Sequence, residues 1–188
     1  YLSGNVIMNI GDGVSARYYN PGDKVPANYQ LLLTFKDESF LVFTVAMYGF
    51  ISAYPDGVID NKYYTISRES ISPLSDAYTE AEFEKLFASA KKTLTAKALL
   101  ATEQRIPGVG NGVTQDILFN AGIHPKQKVI DLSDGQKGVL FKSLKDTLMA
   151  MTSGRGRDTQ TDLYGNEGGY KTILSSKTWK NPCPRCGS

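Results

Sequence analysis

The stretch Gln104-Arg105-Ile106-Pro107-Gly108-Val109-Gly110-Asn111-Gly112-Val113 sets a glycine-punctuated turn directly before an apolar period of helical type. Gly108 and Gly110 permit tight backbone turns, and Asn111 stands where a helix N-cap belongs. A helix starting there turns unpaired N–H groups and the positive end of its dipole outward, which suits a phosphate. Lys97 and Arg105 are close in sequence, and Arg155 and Arg157 follow in a segment of small residues, so cations for an anion site are at hand. A plain interhelical turn is the other reading of this Gly-x-Gly. Cys183 and Cys186 form a Cys-x-x-Cys flanked by Pro182, Pro184 and Gly187, which is zinc-knuckle spacing. They are the chain's 2 cysteines, whereas a tetrahedral zinc site takes four ligands. A redox pair is the competing reading, but no βαβ pattern surrounds it. The 1 histidine, His124, precedes Pro125 with no nucleophile placed to partner it, and reads as a loop or packing residue.

The elements that must position these residues can be bounded from composition. With 188 residues, 41% hydrophobic and 21% charged, the chain can bury a core, and it is not a disordered, collagen-like or disulfide-stapled sequence. Its apolar runs are short and interrupted, and no basic-then-apolar leader opens it, so it reads as soluble and intracellular. The net charge of +2 hides a division: residues 1–90 carry 6 basic against 11 acidic side chains, residues 91–188 carry 15 against 8. A basic half joined to an acidic half is the footprint of a polyanion binder. Tyr1 falls inside strand-like sequence and the chain stops just after Cys186, which reads as a fragment.

The expected class is α+β. Leu2 to Ile10, Val14 to Tyr19, Tyr29 to Phe35 and Phe40 to Met47 are strand-like, separated by Gly11-Asp12-Gly13, Asn20-Pro21-Gly22 and Lys36-Asp37-Glu38, with a hairpin from Tyr29 to Met47. After Pro73 the period turns helical. Thr79 and Glu82 form a capping box before Phe83, Leu86, Phe87 and Ala90, and a short helix follows from Thr95 to Thr102. Val113, Ile117, Leu118 and Ala121 make a third stripe ended by Gly122. Ser133 and Gln136 open a fourth helix carrying Leu140, Leu144, Leu148 and Met151 until Gly154. From Gly154 onward the sequence is Gly-rich, basic and too poor in apolar residues to fold alone.

Both a helix-hairpin-helix and a helix-two-turn-helix fit the Gly-x-Gly turn. The continuation decides: Lys97-Ala98-Leu99-Leu100 upstream, then Gly110-Asn111, Leu118-Phe119, and Ala121-Gly122-Ile123-His124-Pro125. This run closely resembles the signature of the formamidopyrimidine-DNA glycosylase and endonuclease VIII family. Gly156-Arg157-Asp158-Thr159, Asp162-Leu163-Tyr164-Gly165-Asn166, Gly168-Gly169-Tyr170 and Pro182-Cys183-Pro184-Arg185-Cys186-Gly187 are similar to that family's approach to its zinc finger. The resemblance implies three parts: residues 1–66 from a β-sandwich catalytic domain, 75–153 a helix-two-turn-helix domain, and 154–188 a basic loop with the first half of a zinc finger. It implies base-excision repair, in which a damaged base is removed and the strand cut at the abasic site. Family members attack the sugar with an N-terminal proline amine, helped by the next Glu and a Lys, and all three would lie before Tyr1; a zinc-finger Arg would lie beyond Ser188.

By the same resemblance Asn111 and Lys97 hold lesion-flanking phosphates, with Arg105, Gly108, Gly110, Arg155 and Arg157 completing the DNA-binding set, and Cys183 and Cys186 hold zinc. The implied partner is duplex DNA with a damaged base or abasic site, bound by a monomer in a bacterial cytoplasm, associated with the nucleoid. A non-catalytic binder of distorted DNA with the same fold is the alternative. The chain departs from the guanine-reading members at Ile10-Gly11-Asp12-Gly13 and at Thr44-Val45-Ala46-Met47-Tyr48-Gly49, where relatives carry a wedge Met and Asp-Pro-Arg-x-Phe-Gly. Ala46 cannot pair with an orphaned base; Met47 and Tyr48 are open to intercalation or to filling the sandwich. Gly154 to Thr161 occupies the place of a loop that folds over a flipped base, and Tyr164, Tyr170 and Trp179 are expected to anchor the Gly-rich segment by packing.

Overall fold

Strand formers and turn residues alternate through the first third of the chain, and the computed structural model builds two antiparallel sheets from them. It describes residues 2, 4–59 and 61–187; Ser3 of the first expected strand and the terminal Ser188 fall outside the described residues. β1 (Val6–Ile10) pairs with β5 (Ile51–Pro55) from Val6 opposite Pro55 to Ile10 opposite Ile51. β2 (Val14–Tyr19), β4 (Phe40–Val45) and β3 (Leu31–Thr34) form a sheet in the order β2-β4-β3, so β3 and β4 are the expected hairpin. Central β4 is the most buried, through Phe40, Val42 and Phe43. β5 carries no strong alternation and was not singled out in the sequence.

These strands belong to one compact unit, residues 1–64 with 161–167. Residues 161–167 are held there because Tyr18 donates its N–H to the Leu163 carbonyl at 2.8 Å and the Tyr18 and Tyr164 rings meet edge-on at 5.4 Å. The second unit comprises residues 65–160 and 168–188. The segment from 154 onward therefore divides between the two units. A helix of 8 residues with none of them buried, α1 (Lys62–Glu69), spans the division and was not expected from the sequence.

In the second unit three helices start at a side-chain cap that the sequence offers. Thr79 Oγ1 accepts from the Glu82 N–H before α2 (Glu80–Ala88), and Thr95 Oγ1 accepts from Ala98 before α3 (Ala96–Ala101). Ser133 and Gln136 make both bonds of a capping box before α5 (Asp134–Ser153). α4 (Asn111–Ala121) ends at Gly122, whose left-handed φ of 68° lets its N–H reach the Phe119 carbonyl at 3.1 Å. The apolar stripes close on one another: Phe83, Leu100, Ile106, Ile117, Leu140 and Leu144 are all fully buried in one cluster. Burying each such side chain contributes roughly 1.5–3 kcal/mol. No helix among the described residues is long and apolar enough to cross a membrane.

Candidate nucleic-acid interface

The start of α4 is built by the turn that precedes it. Gly108 has φ +81°, a left-handed conformation that a side chain would strain. Gly110, by contrast, is extended (φ −95°, ψ −179°) and is itself the N-cap, with no side-chain cap bond. Asn111 is thus the first helical residue and not the cap expected from sequence; the backbone enters helical geometry one residue earlier than a side-chain cap at Asn111 would require. Its side chain is exposed at the positive helix end.

Arg105, expected to face the same anion, is occupied within the protein. Its Nη1 donates to the Ala98 carbonyl (3.0 Å), the Thr102 carbonyl (3.2 Å) and Thr102 Oγ1 (2.8 Å), while Nη2 pairs with Glu103 at 2.8 Å. A cation on the carbonyl end of α3 satisfies orphan acceptors and complements the negative end of the dipole.

Arg157 takes the position at α4 instead. Its guanidinium lies on Gly112, in the first turn, so closely that a Cβ there would collide with Nη1. The chain around Arg157 is fixed by backbone bonds between two passing segments: Gly169 N–H to Gly154 O (2.7 Å), Tyr170 N–H to Gly156 O (3.0 Å) and Asp158 N–H to Tyr170 O (2.9 Å). Buried Asp158 accepts from the Thr172 N–H (3.2 Å) and hydroxyl (2.8 Å). Desolvation pushes its carboxyl up, but these bonds and the charges of Lys177 and Lys171 outweigh it and hold the group below its ordinary value. Fully buried Asp116 on α4 accepts from the Ile173 N–H (3.0 Å) and the Leu174 N–H (2.9 Å), tying the same segment to the helix. The Tyr170 phenol is pushed up to about 12 by burial and then by Asp116, to which it is hydrogen-bonded; Arg157 and Asn120 act in the opposite sense.

Arg157 Nε is buried without a hydrogen-bond partner among the described residues. A guanidinium beside the positive end of a helix is a like-signed pair, and an anion between them relieves both. One groove brings Gly108, Arg155, Gly156, Arg157 and Gln160 together along Val113 and Met151. Lys97 lies apart from it, in a groove with Gln115, His124, Pro125 and Arg185. His124 is a loop residue, its Nδ1 accepting from the Lys126 N–H at 3.2 Å.

The H2TH domain of formamidopyrimidine-DNA glycosylase matches residues 70–161, which hold this turn, α4 and Arg157. The chain carries the H2TH domain of the formamidopyrimidine-DNA glycosylase family. Formamidopyrimidine-DNA glycosylase from Streptococcus agalactiae is 28% identical over 191 residues, covering 98% of this chain and 68% of that protein. The Roseiflexus enzyme of that name is 32% identical over 120 residues, covering 62% of this chain and 43% of its own length. Among solved structures, a complex of Lactococcus lactis Fpg with DNA containing an abasic site superposes with a TM-score of 0.77 at 19% identity, covering 98% of this chain and 69% of that one. MutM (Fpg) from Thermus thermophilus gives 0.77 at 22% identity, covering 99% and 70%. The fold is that of these glycosylases.

The Cys183–Cys186 bend is closed by the Gly187 N–H donating to the Cys183 carbonyl at 2.8 Å. Two thiols on one bend fit half of a tetrahedral zinc site. Among the described residues no group of three His, Cys, Asp or Glu side chains is placed to hold a metal ion. Arg185, between the cysteines, was not singled out as a site residue. It donates to the Phe119 carbonyl at 2.9 Å, and its guanidinium lies 5.0 Å from the Phe119 ring centroid, capping the end of α4 opposite the glycine turn. Gly112 and Asp116 were also missed. A glycine inside the first turn of a helix, where it costs about 1 kcal/mol against Ala, is the signal that could have pointed to a close approach.

The aromatic residues divide. Tyr170 is anchored as expected, but Trp179 is 72% exposed and so does not pack. In the strand unit Met47 and Tyr48 are 92% and 94% exposed on the turn after β4, which excludes them from filling a sheet interior.

Proposed function

We propose that the protein is a base-excision DNA glycosylase with abasic-site lyase activity, in which the helical unit grips the duplex backbone. The observation that carries this reading is Arg157 against Gly112 at the positive end of α4, with its Nε unsatisfied. One phosphate set there accepts from the guanidinium, from N–H groups of the first turn and from Asn111, with Arg155 beside it in the groove and Lys97 serving a neighbouring phosphate. Arg105 acts indirectly, by holding the end of α3. Exposed Met47 and Tyr48 suit insertion beside an extruded base, the place that wedge residues fill in base-flipping enzymes. Cys183 and Cys186 supply two ligands of a structural zinc.

The chemistry belongs to an N-terminal proline amine, which residues 1–188 do not contain. The amine attacks the sugar carbon C1′ as the base leaves with the bonding electron pair, the C1′–O4′ bond opens to give the Schiff base, and loss of a C2′ proton then expels the 3′ phosphate. Borohydride trapping of the full-length protein on abasic-site duplex tests this: a covalent adduct at the N-terminal residue is expected, and its absence despite tight, salt-sensitive binding would leave the non-catalytic binder. The observation favouring that second reading is Ala46, which replaces the family's Arg and cannot hydrogen-bond an orphaned base.

A further inference from the structure

A second groove adjoins the phosphate seat, sharing Arg157 with it and lined also by Gly112, Gln115, Thr159, Leu174 and Trp179. Two polar atoms of residues on its wall, Arg157 Nε and Thr159 Oγ1, are buried with no partner among the described residues. Unsatisfied buried donors are costly and are normally answered by a ligand or water. Trp179, the chain's 1 tryptophan, is 72% exposed, an unusual placement for so large an apolar ring. Its backbone is nevertheless fixed. The Trp179 N–H donates to the Ser175 carbonyl (3.0 Å), the Ser175 N–H to Thr178 Oγ1 (2.9 Å), and the Ser175 and Thr172 hydroxyl oxygens lie 2.7 Å apart, Thr172 being itself bonded to buried Asp158. Lys180 Nζ lies 5.0 Å from the Trp179 ring centroid, adding positive charge at the ring.

We infer that this groove binds an unpaired nucleotide, its base stacked on Trp179 and its phosphate held by Arg157 and Thr159. A flat, exposed ring on a hydrogen-bonded turn, lining one groove with a guanidinium and a hydroxyl, matches a planar heteroaromatic group joined to an anion. Bases in an intact duplex have both faces covered by their neighbours, so the occupant is a single-stranded segment, such as an overhang or gap next to the gripped duplex. Stacking on an aromatic side chain tolerates every base, so the groove reads strandedness and not sequence. The inference rests on the proposed DNA grip and extends it.

The test uses the lone tryptophan as reporter. Fluorescein-labelled oligothymidylate and a blunt duplex are titrated against the 188-residue chain, with anisotropy and Trp179 emission read together. Expected are quenching of Trp179 in step with oligothymidylate binding, about tenfold weaker oligothymidylate binding for Trp179→Ala, partial recovery in Trp179→Phe, and duplex affinity unchanged within about twofold in both variants. Oligothymidylate binding that leaves Trp179 emission and the Trp179→Ala affinity unchanged overturns the inference. So does duplex binding without oligothymidylate binding, which leaves the DNA-grip reading standing. Failure to bind either DNA removes both.

Discussion

The helical and strand units solve the same problem in different ways. The helical unit encloses the centre of its apolar stripes, with Phe83, Leu100, Ile117 and Leu144 fully buried, and spends its polar groups on fixing what lies on top. The strand unit hides little beyond Ile7 and central β4, while it displays Met47 and Tyr48 on a short turn in which the Gly49 N–H donates to the Ala46 carbonyl at 3.0 Å. A closed core permits a geometric site, such as Arg157 on Gly112. A small two-sheet frame permits a projecting tip, whose use depends on exposure more than on exact placement.

That contrast can be broken in graded steps. Phe83→Ala should destabilise the helical unit by about 3–5 kcal/mol, because an enclosed core keeps much of the cavity. Urea unfolding followed by Trp179 emission measures this. Phe43→Ala, in the strand unit, should leave that transition in place, and equal shifts would mean that the two units unfold as one.

Gly112→Ala should separate stability from function. The added methyl removes a glycine from a helix, worth about 1 kcal/mol in favour of folding, yet displaces the end of Arg157. The expected result is unchanged or raised melting temperature together with about tenfold weaker duplex binding, in the range of a lost charged hydrogen bond. Unaltered affinity would mean that the Arg157–Gly112 contact is packing alone.

Alkaline pH gives a third test. The Tyr170 phenol titrates at about 12 in the fold against an ordinary value of 10.0. Its neutral form is therefore favoured by folding, so its contribution is fully present below pH 10 and is lost as pH rises toward 12. Tyr78, also at about 12 through burial and the nearby Glu82 charge, adds to the same window. Denaturant midpoints between pH 9 and 12 should fall less steeply in Tyr170→Phe.

The smallest effect belongs to Arg185→Ala. Losing a helix-end cap and a contact over Phe119 should cost about 1 kcal/mol of helical-unit stability, with the salt dependence of DNA binding unchanged because no phosphate contact goes. A reduced salt slope would assign Arg185 to the phosphates.

Legibility followed the range of the interactions. Thr79, Thr95, Ser133 and Gly122 act within a few residues of themselves, so helix limits could be read from residue types. The β3–β4 hairpin was marked by its turn chemistry. The α1 helix was hidden because it buries nothing, and β5 because its partner β1 is some forty residues away. Of the proposed site, the glycine turn, Asn111, Arg155 and Arg157 could be named from the sequence, but the contacts of three other residues could not. Arg105 turns back onto α3, Gly112 receives a side chain from 45 residues further on, and Asp116 binds N–H groups at 173 and 174. Composition cannot show such partners, because they are chosen by the tertiary fold.

The central claim is that α4 and Arg157 together seat a phosphate. Its most direct test is the slope of log K against log salt for a duplex containing an abasic-site analogue, compared between the chain and Arg157→Ala. The account predicts weaker binding and a slope shallower by about 0.9, the release expected for one phosphate contact. Equal affinity and equal slope would contradict it.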